Sequence, residues 1–148
     1  MNALAGGCHC GNVSVRFESG RTVEELPMRA CQCTFCRKHG VRTTVDPEGR
    51  LEIGIENGED VSRYLFGQGV AEFLVCRRCG VYVAAVMTRA SGCVATLNVN
   101  VLEGAPFGDR RGRPVDYSEE SVERREARRF AQWTPTVVTV RPPPSGET

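Results

Sequence analysis

Seven of the eight cysteines in this chain fall into three tight clusters, Cys8-His9-Cys10, Cys31-Gln32-Cys33-Thr34-Phe35-Cys36 and Cys76-Arg77-Arg78-Cys79. Thiols this close in sequence rarely close on each other, because a disulfide across C-x-C needs a strained ring. They converge readily on one metal ion instead, with zinc–sulfur bonds of about 2.3 Å. Four thiolates satisfy a closed structural zinc. The remaining three leave a fourth position for water or substrate, which is the arrangement of a working metal centre. The pattern therefore predicts two zinc ions per chain, one structural and one catalytic.

The chain has 148 residues, 41% of them apolar, enough for one domain with a real core and too few for two. We expect that domain to span residues 1–140, with a disordered tail at 141–148 containing Pro142-Pro143-Pro144-Ser145-Gly146. The net charge of +1 provides no global field for nucleic acid or an anionic membrane. No apolar run reaches the ~18 residues of a membrane span, and Met1 to Gly7 lacks the features of a signal peptide. A cytoplasmic, reducing location is the expectation, and there clustered cysteines read as metal ligands before disulfides.

Short β-like runs dominate the first hundred positions. Val13, Val15 and Phe17 alternate with Ser14 and Arg16, and Leu51, Ile53 and Ile55 alternate within 50–56, both patterns of half-buried strands. Further strands are expected at 41–45, 71–75, 81–88, 92–101 and 136–140. The order strand, C-x-x-C-G, strand around Cys76 to Gly80 reads as a zinc knuckle, with the glycine turning backbone N–H groups toward the thiolates. Ser118 to Trp133 is the one clear helix, with Asp116 or Ser118 as N-cap. Its stripe of Val122, Ala127, Phe130, Ala131 and Trp133 is expected on the sheet, with the arginines on a solvated, salt-bridged face.

The pairs 8/10 and 76/79 can staple the first strand to the middle hairpin, which is the loop-closing work of a structural Cys₄ zinc. Spacing alone leaves other partitions open, since Cys31 and Cys33 with Cys76 and Cys79 also count to four. His9 or His39 could add a fourth ligand to the cluster at 31–36. Cys93 lies outside the clusters and reads as a small core residue.

Three blocks together, Gly7-Cys8-His9-Cys10-Gly11-Asn12-Val13, Cys31-Gln32-Cys33-Thr34-Phe35-Cys36-Arg37-Lys38 and Cys76-Arg77-Arg78-Cys79-Gly80, resemble the glutathione-dependent formaldehyde-activating enzyme (GFA) family, which includes centromere protein V. The likeness extends through Asn98-Val99-Asn100-Val101-Leu102 and covers roughly residues 5–102. It implies a mainly β, Mss4-like fold of small antiparallel sheets around zinc, here with one C-terminal helix. It also implies that Cys8, Cys10, Cys76 and Cys79 hold the structural zinc and Cys31, Cys33 and Cys36 the catalytic one. After Leu102 the family's usual ending is missing and the charged helix takes its place, in the region that helps shape the family's substrate pocket.

Two functions from different classes follow as expectations. The first is a carbon–sulfur lyase or synthase acting on adducts of a low-molecular-weight thiol such as glutathione with an aldehyde such as formaldehyde. Arg37, Lys38 and Arg42 flank the second cluster and are candidates to hold the carboxylates of such a thiol. The alternative is a non-catalytic zinc-binding interaction module. The near-neutral charge argues against nucleic acid as its partner, and the open ligand position favours the enzyme.

Overall fold

The computed structural model describes residues 2–142. Alternation in the sequence translates directly into its first sheet. Strand β2 (Val13–Ser19) buries Val13, Val15 and Phe17, and β5 (Arg50–Ile55) buries Leu51, Ile53 and Ile55. The two run antiparallel with Val15 opposite Ile53, so both apolar sets lie on one face. Strand β1 (Asn2–Gly7) flanks β2 and carries no apolar alternation that would announce it. Its small residues serve a close approach, because a Cβ on Gly6 would overlap the Val101 carbonyl oxygen.

The second sheet centres on β8 (Tyr82–Arg89), which is buried on both faces from Tyr82 to Met87. It pairs antiparallel with β7 (Glu72–Cys76) and β9 (Gly92–Asn98), and β6 (Val61–Tyr64) extends the edge beyond β7. On the other side of β9 lie three short strands, β4 (Thr43–Thr44), β3 (Arg29–Cys31) and β10 (Arg113–Val115).

Strand β11 (Thr134–Val140) joins the two sheets. Thr134 and Pro135 pair antiparallel with β9, and Thr136 to Val140 then run parallel to β5. The architecture is mainly β with mixed pairing, since β10 also runs parallel to β3. Two hydrophobic cores result. Phe17, Leu26, Leu51, Ile53, Leu74, Val83 and Leu97 fill the first. Cys36, Val41, Phe73, Tyr82, Met87 and Trp133 belong to the second.

Two helices complete the fold, α1 (Thr34–His39) and α2 (Val122–Gln132). The C-terminal helix starts later than the sequence suggested. Ser121 is its N-cap, its hydroxyl accepting from the Arg124 N–H, while Asp116 instead closes a turn by accepting from the Ser118 N–H. The expected apolar stripe is realised only in part. Phe130 and Trp133 pack on the second core, but Val122, Ala127 and Ala131 are exposed, and Arg125, Glu126, Arg128 and Arg129 turn inward instead.

The expected strand at 92–101 ends at Asn98, where a single 3-10 turn over Val99–Val101 follows, and 41–45 contributes only two paired residues. Of the tail expected at 141–148, Arg141 and Pro142 are described. The Arg141 N–H donates to the Ile55 carbonyl and its guanidinium meets Glu56 at 2.8 Å, while 143–148 lie outside the described residues. No helix among the described residues is long and apolar enough to cross a membrane.

Candidate metal centres and the cavity beside one of them

The first four-cysteine cluster is assembled across the chain. Cys8 and Cys10 sit in the turn after β1, where Gly11 at φ 87° lets the chain double back and the Val13 N–H donates to Cys8 Sγ at 3.2 Å. Cys76 ends β7 and Cys79 precedes Gly80, whose φ of 76° and N–H bond to the Cys76 carbonyl close the expected knuckle. Cys8 and Cys10 sulfurs are 3.7 Å apart and those of Cys10 and Cys76 3.5 Å. These separations are far beyond a disulfide and close to the about 3.8 Å edge of a tetrahedron with 2.3 Å zinc–sulfur bonds. Cys8, Cys10, Cys76 and Cys79 all have their sulfurs within 4.8 Å of one another. The set fits a closed zinc site.

The second cluster is local. Cys31 ends β3, Cys33 caps α1, and Cys36 lies in the first turn of that helix. A strand-to-helix turn thus brings three sulfurs within 4.8 Å of one another, and the Cys36 N–H donates to Cys33 Sγ at 3.4 Å. Hydrogen bonds from the Cys31 and Cys36 thiols hold Cys33 well below the ordinary thiol range, and the backbone N–H of Cys36 adds to this. The partners respond oppositely. Interaction with Cys33 pushes Cys31 up, and interaction with Cys31 and then Cys33 pushes Cys36 far up. Three thiols sharing negative charge are a donor set that a divalent cation completes, and the set fits zinc.

The partitions that spacing left open are resolved, because Cys31 and Cys33 group with Cys36 and not with the knuckle. Neither histidine joins a cluster. His39 instead packs against Phe35, the rings tilted by 36° with centroids 4.4 Å apart. Cys93 is half-buried beside Thr88, packed against the first core.

A cavity of about 400 Å³ opens beside the three-cysteine cluster. Cys31, Cys33 and Cys36 line it together with Phe66, Phe73, Tyr82 and Trp133. The turn 66–70 forms one rim, helped by Gly67 and Gly69 at φ 59° and 68°, and Gln68 donates to the Glu120 carbonyl at 3.3 Å. Helix α2 forms another, through Arg125, Arg128 and Arg129. The four-cysteine cluster does not line this cavity.

Of the flanking cations named from sequence, Arg37 and Lys38 project from α1 into solvent and line none of the cavity. Arg42 is held elsewhere. It donates to Asn100 Oδ1 at 2.8 and 3.1 Å and to the Gly108 and Arg110 carbonyls at 3.0 and 2.6 Å.

The site residues that sequence reasoning passed over are Tyr82 and Arg129, while Trp133, expected only as a packing residue of the helix stripe, also lines the cavity. Only Tyr82 left a trace, as the one polar-tipped side chain in the otherwise apolar run from Val81 to Met87. Its hydroxyl has no hydrogen-bond partner among the described residues. Burial, and then the negative charge of Cys36, Cys31 and Cys33, raises its pKa well above the ordinary tyrosine value, so it stays a neutral donor.

No protein-family model and no curated protein matches the chain. Among solved structures it matches the crystal structure of a Rhodobacter sphaeroides protein, a structural-genomics target. The match has a TM-score of 0.51 and 30% sequence identity over 74% of this chain and 97% of that one. With nearly the whole of that protein matched at this identity, the chain belongs to the same family as the Rhodobacter sphaeroides protein.

Proposed function

We propose that this chain is a zinc-dependent carbon–sulfur lyase or synthase of the GFA type, forming or cleaving adducts between a low-molecular-weight thiol and an aldehyde such as formaldehyde. The observation that carries the reading is the contrast between the clusters. Four cysteines close on themselves away from the cavity, while three converge on the wall of a cavity large enough for a small substrate. In this reading Cys8, Cys10, Cys76 and Cys79 hold a structural ion, and Cys31, Cys33 and Cys36 a working one.

Zinc bound by three thiolates supplies an electron-rich centre that keeps an incoming thiol ionised and nucleophilic at neutral pH. The chain's own groups supply the rest. Phe66, Phe73 and Trp133 give the cavity apolar walls that limit water around the reacting atoms. In the synthetic direction the thiol sulfur bonds to the carbonyl carbon and the C=O π pair moves onto oxygen. The Tyr82 hydroxyl, unpaired and protonated, donates to that oxygen as charge develops. The proton lost by the thiol is balanced by the one gained by the alkoxide, giving an S-hydroxyalkyl product. Cleavage runs the same steps backward.

The test is metal content per chain and the absorption of cobalt-substituted protein with and without glutathione, alongside thiol-dependent consumption of formaldehyde. Two metals, one in a three-sulfur site whose spectrum responds to thiol, together with turnover, are the expected result. A single metal, or two sites indifferent to thiol and no turnover, would make the chain a zinc-binding interaction module.

A further inference from the structure

Helix α2 faces the cavity with arginines, and their partners are unequal. Arg128 forms a two-point contact with Glu120 at 2.7 and 2.9 Å, its guanidinium over the Tyr117 ring. Arg125 reaches the same carboxylate at 3.5 Å and donates to the Tyr117 carbonyl at 2.6 Å. Arg129 has no carboxylate partner among the described residues. Its guanidinium lies over the Trp133 ring, 4.7 Å from the centroid, and its buried Nε has no acceptor.

Among the described residues only two buried side-chain polar atoms lack a hydrogen-bond partner, Arg129 Nε and the Tyr82 hydroxyl. Both residues line the cavity that also holds Cys31, Cys33 and Cys36. Buried donors left unpaired are costly and rare in folded chains, and two residues that carry them on the lining of one cavity point to an acceptor that arrives from outside. Arg29 lines the same cavity and forms no ion pair among the described residues. Asp116 is the only acidic side chain on the lining, and Glu120 is shared by two arginines. The cavity is therefore left with a cationic excess. Burial, followed by repulsion from Arg128 and Arg125, lowers the Arg129 pKa only to about 10, so the guanidinium remains charged at neutral pH.

We propose that Arg129 anchors a carboxylate of the substrate, making the site selective for small carboxylate-bearing thiols over neutral ones. The substrate class rests on the thiol–aldehyde reading above, whereas the carboxylate contact does not need it. Helix α2 is thus a specificity element, holding the anionic end of the ligand while its sulfur reaches the three-cysteine wall.

Trp133 is the only tryptophan and stacks on Arg129, so its fluorescence reports occupancy of the cavity without any turnover. Zinc-loaded protein would be titrated with 3-mercaptopropionate and with its neutral counterpart 3-mercaptopropionamide, and calorimetry would check each affinity. We expect tighter binding of the acid. Arg129→Gln should weaken the acid about 10- to 100-fold and leave the amide unchanged. Arg129→Lys, which keeps the charge without the fork, should recover part of the loss.

Equal affinity of wild-type protein for acid and amide, equal loss of both on substitution, or no saturable binding of either acid overturns the proposal. If Arg129→Gln fails to fold, the acid-to-amide ratio in wild-type protein decides alone. The same comparison with 3-(methylthio)propionate and its amide separates the two readings. Arg129-dependent preference for the methylated acid, without any cobalt response to free thiols, sustains the anchor and removes the thiol chemistry. A cobalt response to thiols that ignores both Arg129 and the carboxylate does the reverse.

Discussion

Substituting one cysteine in each cluster should separate a fold-holding site from a working one. Cys10 and Cys76 are 66 residues apart in sequence, so an ion held by both closes most of the first half of the chain into a loop. Cys31, Cys33 and Cys36 instead lie within one strand-to-helix turn that the backbone already makes. Loop-closure cost grows with the logarithm of loop length, and going from about 6 to about 66 residues adds roughly 2 kcal/mol. Cys76 is also wholly buried in the first core, whereas Cys33 is half-buried at the cavity wall. A serine at position 33 can moreover replace the thiol as the N-cap of α1.

Cys76→Ser should therefore cost at least about 2 kcal/mol more than Cys33→Ser, a separation of roughly 4–8 °C in Tm for a chain of this size. That difference holds when the variant releases the ion, since Cys79 would otherwise keep the loop closed, and the lost metal-binding energy adds to it. Thermal unfolding followed by circular dichroism, with zinc counted in each sample, measures both quantities. Cys33→Ser should stay folded with one ion fewer. Equal destabilisation by the two substitutions would refute the division into structural and working sites.

Tyr82→Phe removes a buried hydroxyl that has no partner, so stability should hold or rise while adduct formation falls about 100-fold; unchanged turnover would exclude the hydroxyl from the reaction. Arg42→Ala should lower stability by about 2 kcal/mol through the lost bonds to Asn100 and the 108–110 turn. The thiol concentration for half-saturation should stay the same, and a rise in it at unchanged Tm would restore Arg42 as a substrate ligand. Glu120 is held below its ordinary pKa of 4.5, chiefly by the Arg128 hydrogen bonds. Its stabilisation is complete above that ordinary value and is lost as pH falls through the lowered folded value. The Tm gap between wild type and Glu120→Gln should thus be widest at neutral pH and close in acid, and a gap constant with pH would count against the pairing.

The metal-ligand clusters were legible because their spacing is a local property: C-x-C and C-x-x-C commit nearby thiols before any tertiary contact forms. Strands β2 and β5 were legible for a similar reason, since one face of each is buried and alternation records it. Strands β1, β3 and β10 left little trace, being small-residue or three-residue pieces whose pairing partners lie elsewhere in the chain. Helix α1 was hidden in the second cluster, where its first turn doubles as the metal-ligand turn.

The inward face of α2 could not be read from its composition. Its alanines and Val122 form a pattern that would ordinarily be buried, yet Arg125, Arg128 and Arg129 take their place beside Phe130 and Trp133 on the side turned to the body. The physical reason is that hydrophobic periodicity records burial against a closed core, and this helix packs on the rim of a cavity. There Glu120, Tyr117 and Trp133 offer arginines better partners than solvent does. Local chemistry in the sequence therefore determined which thiols form clusters and that the regular structure is mainly β. Only the tertiary structure decided which clusters share ligands and which cluster meets a cavity. It also decided that Tyr82 and Arg129, 47 residues apart by their numbering, face that cavity together.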